Sequence, residues 1–341
     1  MDIISSHWYH ISSTRSRYST TVILSRIIVH VVAVAGGQGD VGKTIVEVFS
    51  QNQQNRVLVL SRKVGDNGSL YSPANVVKKV DDKSTICVDY TDVSLIRDAL
   101  EKHNVEVVIS CLNLISPEAS QVEVNLARAS DSSSATHRFI ASQWSIPTPQ
   151  GSPLADFSAA TLAVLSQTKL EYTVVSNGHF SDYYGYPKVK THLKHADFLV
   201  DIAKRAAAVP GSGEDKVVFT YSFDVARFVD ALVNTDEKWS KKSVVIGEKI
   251  TTNEIVAIAE DARVVHDDVN KLRSLQVTEL PSHVEAYKFF PKPMLQTLYA
   301  AICLRIIQGH FDLPYEGSLN QMFPHIELTS VKELIDQAWK A

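Results

Sequence analysis

Residues 27–49 read IIVHVVAVAGGQGDVGKTIVEVF, and this stretch decides the fold of the 341-residue chain. Its opening, residues 27–35, is a nearly continuous and mostly β-branched apolar run, which is typical of a strand buried on both faces of a parallel sheet. Glycines follow at positions 36, 39 and 42, and residues 44–49 predict a helix. A strand, a glycine loop and a helix in this order predict the first unit of a dinucleotide-binding fold.

The three spaced glycines of this loop meet different physical demands. Gly36 permits a tight turn, Gly39 lets the backbone approach a pyrophosphate, and Gly42 lets the helix pack closely on the strand. The start of the helix then offers free N–H groups and a partial positive charge to phosphates. The loop residues predicted to bind the cofactor are Gly36, Gln38, Gly39, Asp40, Val41 and Gly42.

The same loop also matches the nucleotide-triphosphate pattern GxxxxGKT, from Gly37 to Thr44. That alternative predicts phosphoryl transfer, but the sequence has no clear apolar strand that ends in a Walker B aspartate. The second predicted strand, residues 57–60, leads instead into basic residues, at the point where a dinucleotide fold recognises the ribose. We therefore expect dinucleotide binding.

The choice of dinucleotide depends on Arg62 and Lys63, which follow this second strand. An acid there would bind the ribose 2′-hydroxyl of NAD, whereas basic residues suit the 2′-phosphate of NADP through charge-assisted hydrogen bonds. Basic residues at a strand end are also common on protein surfaces. Asp89, after the third strand, could accept a hydrogen bond from the adenine amino group or could cap the next helix. Asn113 completes the predicted cofactor-binding residues.

Strands and helices alternate through the first half of the chain. After the second strand come four further predicted strands and three predicted helices, the strands at 86–88, 105–110, 138–140 and 172–175 and the helices at 93–103, 120–130 and 157–167. Mostly continuous apolar strands that alternate with helices predict an α/β fold with a doubly wound parallel sheet, the Rossmann fold. Beyond about residue 180 the rhythm breaks, and we expect a smaller C-terminal α/β substrate lobe.

We expect three parts in the chain: a flexible N-terminal extension (1–26), a Rossmann dinucleotide-binding core (27–185) and a substrate lobe (186–341). Residues 220–248, with a predicted helix and strand, are expected to return to the core. Residues 1–30 are rich in Ser, Thr and Arg and contain one acid. This composition is typical of an organelle transit peptide, of a disordered tail, or of wrongly assigned upstream sequence.

The overall composition is that of an ordinary globular protein, with 45% apolar and 21% charged residues. A net charge of −4 argues against a nucleic-acid-binding surface. The three cysteines are far apart and show no metal-binding spacing, which indicates a reduced compartment. No apolar run reaches membrane-spanning length. We expect a cytoplasmic protein without a metal site.

Three motifs resemble the NmrA-like and isoflavone-reductase-like group of atypical short-chain dehydrogenases. They are VAVAGGQG at 32–39, RFIASQW at 138–144 and LEYTVVSNGHF at 170–180. The resemblance implies a Rossmann fold in which Ser142 and Trp144 lie near the nicotinamide. It also implies that residues 177–180 form a loop beneath the substrate.

The chain departs from this group at the residue that handles the proton. Isoflavone-reductase relatives carry a lysine at a position that falls near Ser158 here, and residues 157–167 contain no lysine. The Tyr-x-x-x-Lys spacing of ordinary short-chain dehydrogenases occurs twice between Tyr184 and Lys190, but Pro187 interrupts both pairs, so we interpret them as coincidental. The candidate catalytic residues are therefore Ser142 and His179, although a structural role is the favoured interpretation of His179.

Two functions of different classes remain open. The first is an NADP-dependent oxidoreductase that acts on a small hydrophobic molecule, such as a polyketide or phenolic intermediate of secondary metabolism. Lobe aromatics could line its pocket or pack in the core, namely Tyr287, Phe289, Phe290, Phe311 and Tyr315. The second is an NmrA-type regulator that senses the dinucleotide without turnover and binds a protein partner. The missing lysine favours the regulator, but we favour the enzyme, because a water or a substrate acid can complete protonation after hydride transfer.

Overall fold

A computed structural model describes residues 29–62, 77–80, 83–147, 153–194, 198–288 and 291–340. The first half of the chain folds as β1 His30–Ala35, α1 Asp40–Gln51, β2 Asn55–Ser61, β3 Val77–Val80, β4 Lys83–Cys87, α2 Val93–Lys102, β5 Val107–Ser110, α3 Pro117–Ser132, β6 Arg138–Ser145, α4 Pro153–Leu165 and β7 Glu171–Ser176.

The second half has shorter strands and more helices. Its elements are β8 His179–Phe180, β9 Val200–Asp201, β10 Ala206–Pro210, β11 Lys216–Thr220, α5 Ser222–Val233, β12 Lys242–Val244, β13 Glu248–Thr251, α6 Thr252–Ala259, β14 Arg263–Asp267, α7 Val269–Arg273, α8 His283–Ala286, α9 Lys292–Ile307, α10 Leu319–Met322 and α11 Val331–Trp339.

The described residues form one large sheet with the strand order β12-β7-β6-β5-β1-β2-β4-β3. All neighbours in it pair in parallel except β3, which pairs antiparallel with β4 at the edge. The chain leaves β1 towards β2 on one side and returns at β5 on the other. This reversal confirms the predicted doubly wound α/β sheet, and it opens a crevice beyond the carboxyl ends of β1 and β5.

The continuous apolar run of β1 is buried because helices cover both faces of the sheet. Val32 and Val34 pack in one core with side chains of α1 and α5, whereas Ala33 and Ala35 pack in a second core with α2 and α3. Each of these four β1 side chains is 0% exposed. Full burial of a valine-sized side chain contributes roughly 1.5–3 kcal/mol, so the two cores fix β1 and the loop that follows it.

The C-terminal part adds two three-stranded sheets, ordered β14-β10-β9 and β13-β11-β8. Strand β8 follows directly after β7 and pairs with β11, so the loop between β7 and β8 joins the large sheet to the sheet β13-β11-β8. Strand β12 pairs in parallel with β7, and α5 packs against α1. The domain boundaries drawn from the sequence stay predictions, and the N-terminal extension lies outside the described residues.

Across the described ranges, every helix is either too short or too polar to cross a membrane. Within the same ranges, no group of three or more His, Cys, Asp or Glu side chains is arranged to hold a metal ion.

Candidate active site

The glycine loop between β1 and α1 is shaped by close contacts that side chains would prevent. Gly36 has a φ of +75°, and a Cβ added there would lie 2.6 Å from the Cys111 carbonyl oxygen. A Cβ at Gly42 would lie 2.2 Å from the Gly36 carbonyl oxygen. Gly39 differs, because a Cβ there would meet only the Gly36 carbonyl oxygen, at 3.2 Å. Gly36 and Gly42 therefore build the turn, and Gly39 faces open space.

Helix α1 begins at Asp40, four residues before the position that the apolar pattern predicts. Its N-cap is Gly39, whose backbone is extended and which has no side chain to cap the helix. The backbone amide of Lys43 donates to the Gly39 carbonyl at 2.8 Å, so the amides of Asp40, Val41 and Gly42 precede the first turn of intrahelical bonds. These amides and the helix dipole form a site suited to a phosphate group.

The arrangement argues against the GxxxxGKT alternative. In a P-loop the hydroxyl after the lysine binds Mg²⁺ beside the phosphates. Here the Thr44 side chain is 1% exposed, and its Oγ1 atom is buried inside the protein. The hydroxyl therefore cannot reach a metal ion at the mouth of the loop.

The carboxyl end of β2 lies beside the glycine loop. The Ser61 hydroxyl donates to the Gln38 side-chain oxygen at 3.2 Å, which connects the end of β2 to the loop. Arg62 follows and is exposed to solvent. Lys63, the second predicted phosphate ligand, lies outside the described residues. Of the two predicted phosphate ligands, Arg62 is therefore the one that the structure describes. It follows β2 at the point where a dinucleotide-binding fold recognises the ribose.

Asp89 does not cap the helix that follows it, so that alternative was wrong. Its Oδ1 atom accepts from the amide and hydroxyl of Thr91, at 2.9 Å and 2.7 Å. The N-cap of α2 is Asp92, which accepts from the amides of Ser94 and Leu95. Asp89 and Asp92 both have side chains that can cap a helix, but α2 begins at Val93, so the residue at the N-cap position is Asp92. Cofactor binding by Asp89 stays a prediction.

A cleft of about 580 Å³ runs from the glycine loop to α9. Throughout, "the cleft" means the space lined by residues of the glycine loop, the loop after β5, the end of β6 and the C-terminal part, namely Gly39, Asp40, Val41, Cys111, Leu112, Asn113, Leu114, Ile115, Ser142, Gln143, Trp144, Ser145, Ile146, Ser158, His179, Lys194, Leu298, Ile302, Arg305 and Phe311. It brings together Gly39, Asp40, Val41, Asn113, Ser142 and His179 from the predicted site. The remaining predicted residues Gly36, Gln38, Gly42, Arg62 and Asp89 lie outside its lining.

The end of β6 forms one wall of the cleft, and Ser142 and Trp144 both line it. The Ser142 hydroxyl donates to the Leu112 carbonyl at 2.7 Å, and its amide donates to Glu123 at 2.8 Å. The Trp144 indole N–H donates to the Ser110 carbonyl at 2.9 Å. These bonds fix the wall to the end of β5 and the loop after it, and they occupy the proton of the Ser142 hydroxyl.

His179 enters the cleft from the start of β8. Its half-buried ring lies 5.4 to 5.9 Å from the rings of Tyr183, Phe198 and Phe219. Burial among these rings lowers the pKa of His179 to about 4, because the charged imidazolium loses its hydration. Its Nε2 atom is buried and has no hydrogen-bond partner among the described residues. At neutral pH the side chain is therefore a neutral hydrogen-bonding group.

Further buried polar atoms flank His179, at Asn177 in the loop that the family resemblance places beneath the substrate and at Ser181 just after that loop. The Asn177 side chain is 0% exposed, and neither its Nδ2 nor its Oδ1 atom has a partner among the described residues. The Ser181 hydroxyl is in the same state. Buried polar groups are normally hydrogen-bonded, so this cluster indicates a place where water or ligand atoms complete the bonding.

The opposite wall comes from the C-terminal part of the chain. Leu298, Ile302 and Arg305 lie on one face of α9 at i, i+4 and i+7 spacing, and Phe311 follows the helix. Ser158, the position at which the family resemblance implies a lysine, lines the cleft too, and Lys194 enters it from the segment after β8. Sequence reasoning missed Lys194 and Arg305. Phe311 was among the aromatic residues that the sequence offered for the pocket, whereas the spacing of the α9 residues went unused.

Several sequence candidates for chemistry lie elsewhere. The two Tyr-x-x-x-Lys pairs fall in a 3-10 turn (Ser181–Tyr184) and the loop after it, where Lys188 stacks on Trp339 and Lys190 pairs with Glu47. Neither lysine lines the cleft. Of the lobe aromatics, Phe311 lines the cleft and Tyr315 is 54% exposed, while Phe289 and Phe290 lie outside the described residues.

Comparison with known proteins finds relatives among fungal oxidoreductases, although no family model matches the chain. The chain is 35% identical to oxidoreductase BOA1 of Botryotinia fuckeliana over 232 residues, covering 67% of this chain and 74% of BOA1. It is 28% identical to oxidoreductase swnN of Metarhizium robertsii over 342 aligned positions, covering 91% of this chain and 97% of swnN.

Solved structures of similar fold include AtPrR2 with NADP+ and (+)pinoresinol, at a TM-score of 0.67 and 18% identity, over 90% of this chain and 98% of that one. Isoflavone reductase superposes with a TM-score of 0.66 and 15% identity, over 91% of this chain and 99% of its own. At these identities the likeness establishes a common fold across nearly the whole chain.

Proposed function

The chain belongs to the oxidoreductase family of BOA1 and has the isoflavone-reductase-like fold, and from this premise we propose that it transfers hydride between NADP(H) and a small hydrophobic molecule. The sequence resemblance to the NmrA-like and isoflavone-reductase-like group is thereby confirmed, and the protein is an oxidoreductase. The cofactor and the substrate class are the steps proposed here.

The observation that carries this proposal is the continuity of the cleft. One end is the glycine loop with the open position at Gly39 and the uncapped start of α1. The other end is the apolar face of α9 with Leu298 and Ile302. A dinucleotide held at the first end would extend past Asn113 and Trp144 towards the second. Cofactor and substrate could then meet within the same space.

The residues present suit NADP(H) at the glycine-loop end. The amides of Asp40 and Val41 would bind the pyrophosphate, and Arg62 would bind the 2′-phosphate. When bound, the nicotinamide supplies or accepts the hydride. The β6 wall, fixed by the Ser142 and Trp144 hydrogen bonds, would position the ring and keep water from one side of it.

We propose hydrogen-bonding and positioning roles for the two candidate catalytic residues. His179 is neutral at physiological pH, so it is poorly suited to donate a proton as an acid, but its free Nε2 atom can orient a substrate oxygen. Ser142 holds the loop after β5 through the Leu112 carbonyl. A water molecule or a substrate group then supplies the proton that accompanies the hydride.

The apolar lining at the α9 end fits an aromatic or polyketide-like body, and we propose a secondary-metabolite intermediate as the natural substrate. The family's named members are oxidoreductases, and the cleft extends well beyond the dinucleotide loop. Neither observation favours the regulator alternative, which requires no space for a substrate.

A reductase assay tests the proposal. The full-length protein is incubated with NADPH and a panel of aromatic ketones and enones, and the loss of reduced cofactor is followed by absorbance. We expect NADPH consumption with at least one hydrophobic carbonyl compound, and much slower consumption with NADH. Tight binding of NADPH without turnover of any compound would favour the regulator instead.

A further inference from the structure

Two basic side chains, Lys194 and Arg305, line the cleft, and the other lining residues of α9 are apolar. Arg305 shares the cleft-facing side of α9 with Leu298 and Ile302, and its side chain is half-buried. Arg305 thus places positive charge against the apolar wall.

Lys194 is brought to the same cleft by a segment that is firmly anchored just before it. Leu193 is 4% exposed in the core with α1 and α5, and the Thr191 hydroxyl donates to the buried Asp182 at 2.7 Å. His192 bonds to Glu47 of α1 at 2.6 Å. Lys194 itself forms no ion pair with any residue in the described ranges.

The charges that line the cleft are unevenly distributed. Among the described lining residues, Asp40 carries negative charge at the glycine-loop end, whereas Lys194 and Arg305 carry positive charge. His179 lies with them but is neutral at physiological pH. An arginine in the last turn of a helix also interacts favourably with the helix dipole, but that role does not involve a lysine from another segment.

We propose that Lys194 and Arg305 form an anion subsite, and that the substrate is a carbonyl compound with an apolar body and a carboxylate. The carboxylate would accept charge-assisted hydrogen bonds from both side chains, while Leu298 and Ile302 contact the body. This inference rests on the proposed function for the reaction, but the binding of the anion can be measured without it.

The test compares a matched pair of probes, 3-benzoylpropionate and its methyl ester. Isothermal titration measures both against the cofactor-free full-length protein and in the presence of NADPH. The variants are Lys194→Met and Arg305→Met, which keep much of the apolar stem and remove the charge. Lys292→Met is the control, because Lys292 lies on α9 in an ion pair with Glu279 and does not line the cleft.

We expect the wild-type protein and Lys292→Met to bind the carboxylate about tenfold to a hundredfold more tightly than the ester, which corresponds to one charged hydrogen bond. Each of the two variants should lose most of this preference and keep its affinity for the ester. NADPH affinity should remain within about twofold in both variants.

Three results would overturn the subsite: equal binding of the two probes, no binding of either probe, or a preference that survives both substitutions. A fall in NADPH affinity with no change in probe binding would also overturn it, because the cations would then serve a cofactor phosphate. Lys194→Met lies outside helices and strands, so it remains informative if Arg305→Met fails to fold. If the cofactor-free protein prefers the carboxylate but no NADPH binds, the subsite stands and the proposed function fails.

Discussion

Replacing Gly39 with valine should separate cofactor binding from folding. Gly39 has φ −84° and ψ −179°, an extended conformation that valine adopts without strain. Its Cβ would lie 3.2 Å from the Gly36 carbonyl oxygen, so that neighbour must move by only a few tenths of an ångström. We therefore expect the free energy of unfolding to change by no more than about 1 kcal/mol.

The effect on dinucleotide binding should be far larger. The valine methyl groups would fill the open space in front of the α1 amides, where the pyrophosphate is proposed to lie. Loss of two charged hydrogen bonds, each worth about 1.5–3 kcal/mol, predicts an affinity for NADPH lower by more than about a hundredfold. Fluorescence titration with NADPH and a thermal melt of the same preparation measure the two effects.

The matched control is Gly42→Ala, which, unlike Gly39→Val, should lower the stability of the fold. A Cβ at Gly42 would lie 2.2 Å from the Gly36 carbonyl oxygen and 2.8 Å from the Gly37 Cα, so backbone must shift. Overpacking of this kind costs about 1–3 kcal/mol, or a drop in Tm of several degrees. Folded Gly39→Val protein with wild-type NADPH affinity would refute the assignment of this loop.

Three other changes test separate parts of the site. Arg62→Ala should weaken NADPH binding by about tenfold to a hundredfold and leave NADH binding unchanged, as titration of both dinucleotides measures; an equal loss for both would contradict the 2′-phosphate role. The pKa of His179 is lowered to about 4, below the unfolded value of about 6.5, so stability should fall as pH decreases through this window, by up to about 1.4 kcal/mol per unit. Urea unfolding of wild type and His179→Gln from pH 7 to pH 4 checks this, and parallel curves would contradict it. Asp182→Ala should cost about 2–4 kcal/mol in urea unfolding, because the Ser222 amide, at 2.8 Å, and the Ser222 and Thr191 hydroxyls lose their acceptor; a loss below 1 kcal/mol would show that these groups find other partners.

The sequence was sufficient to predict the large sheet because its strands carry their own signal. Strands such as β1 and β5 are buried on both faces, so their apolar runs are visible without knowledge of their neighbours. The glycine loop was predictable for the same reason, since the glycines at positions 36, 39 and 42 meet local demands. Edge strand β3, Val77–Val80, contains two lysines and pairs on one side only, so it left no such pattern.

The far wall of the cleft could not be predicted, because it is assembled from distant parts of the chain. Lys194 and Arg305 have no local pattern in common, and they line the same cleft only because the segment after β8 and helix α9 both border it. The cap of α2 could not be predicted because the sequence does not fix the residue at which the helix begins. The helix begins after Asp92, so Asp92 is the cap and Asp89 is not. Local chemistry thus indicated the glycine-loop end of the cleft, and tertiary packing determines the α9 end.

Transfer of label from the cofactor tests the central claim most directly. NADPH carrying deuterium at C4 of the nicotinamide, in each of its two stereochemical forms, is incubated with the protein and the panel of hydrophobic ketones and enones. Mass spectrometry of the products should find one deuterium per reduced molecule from one stereochemical form and none from the other. Gly39→Val should give no labelled product. Bound NADPH that returns unchanged, with no deuterium in any product, would contradict hydride transfer as the function of this protein.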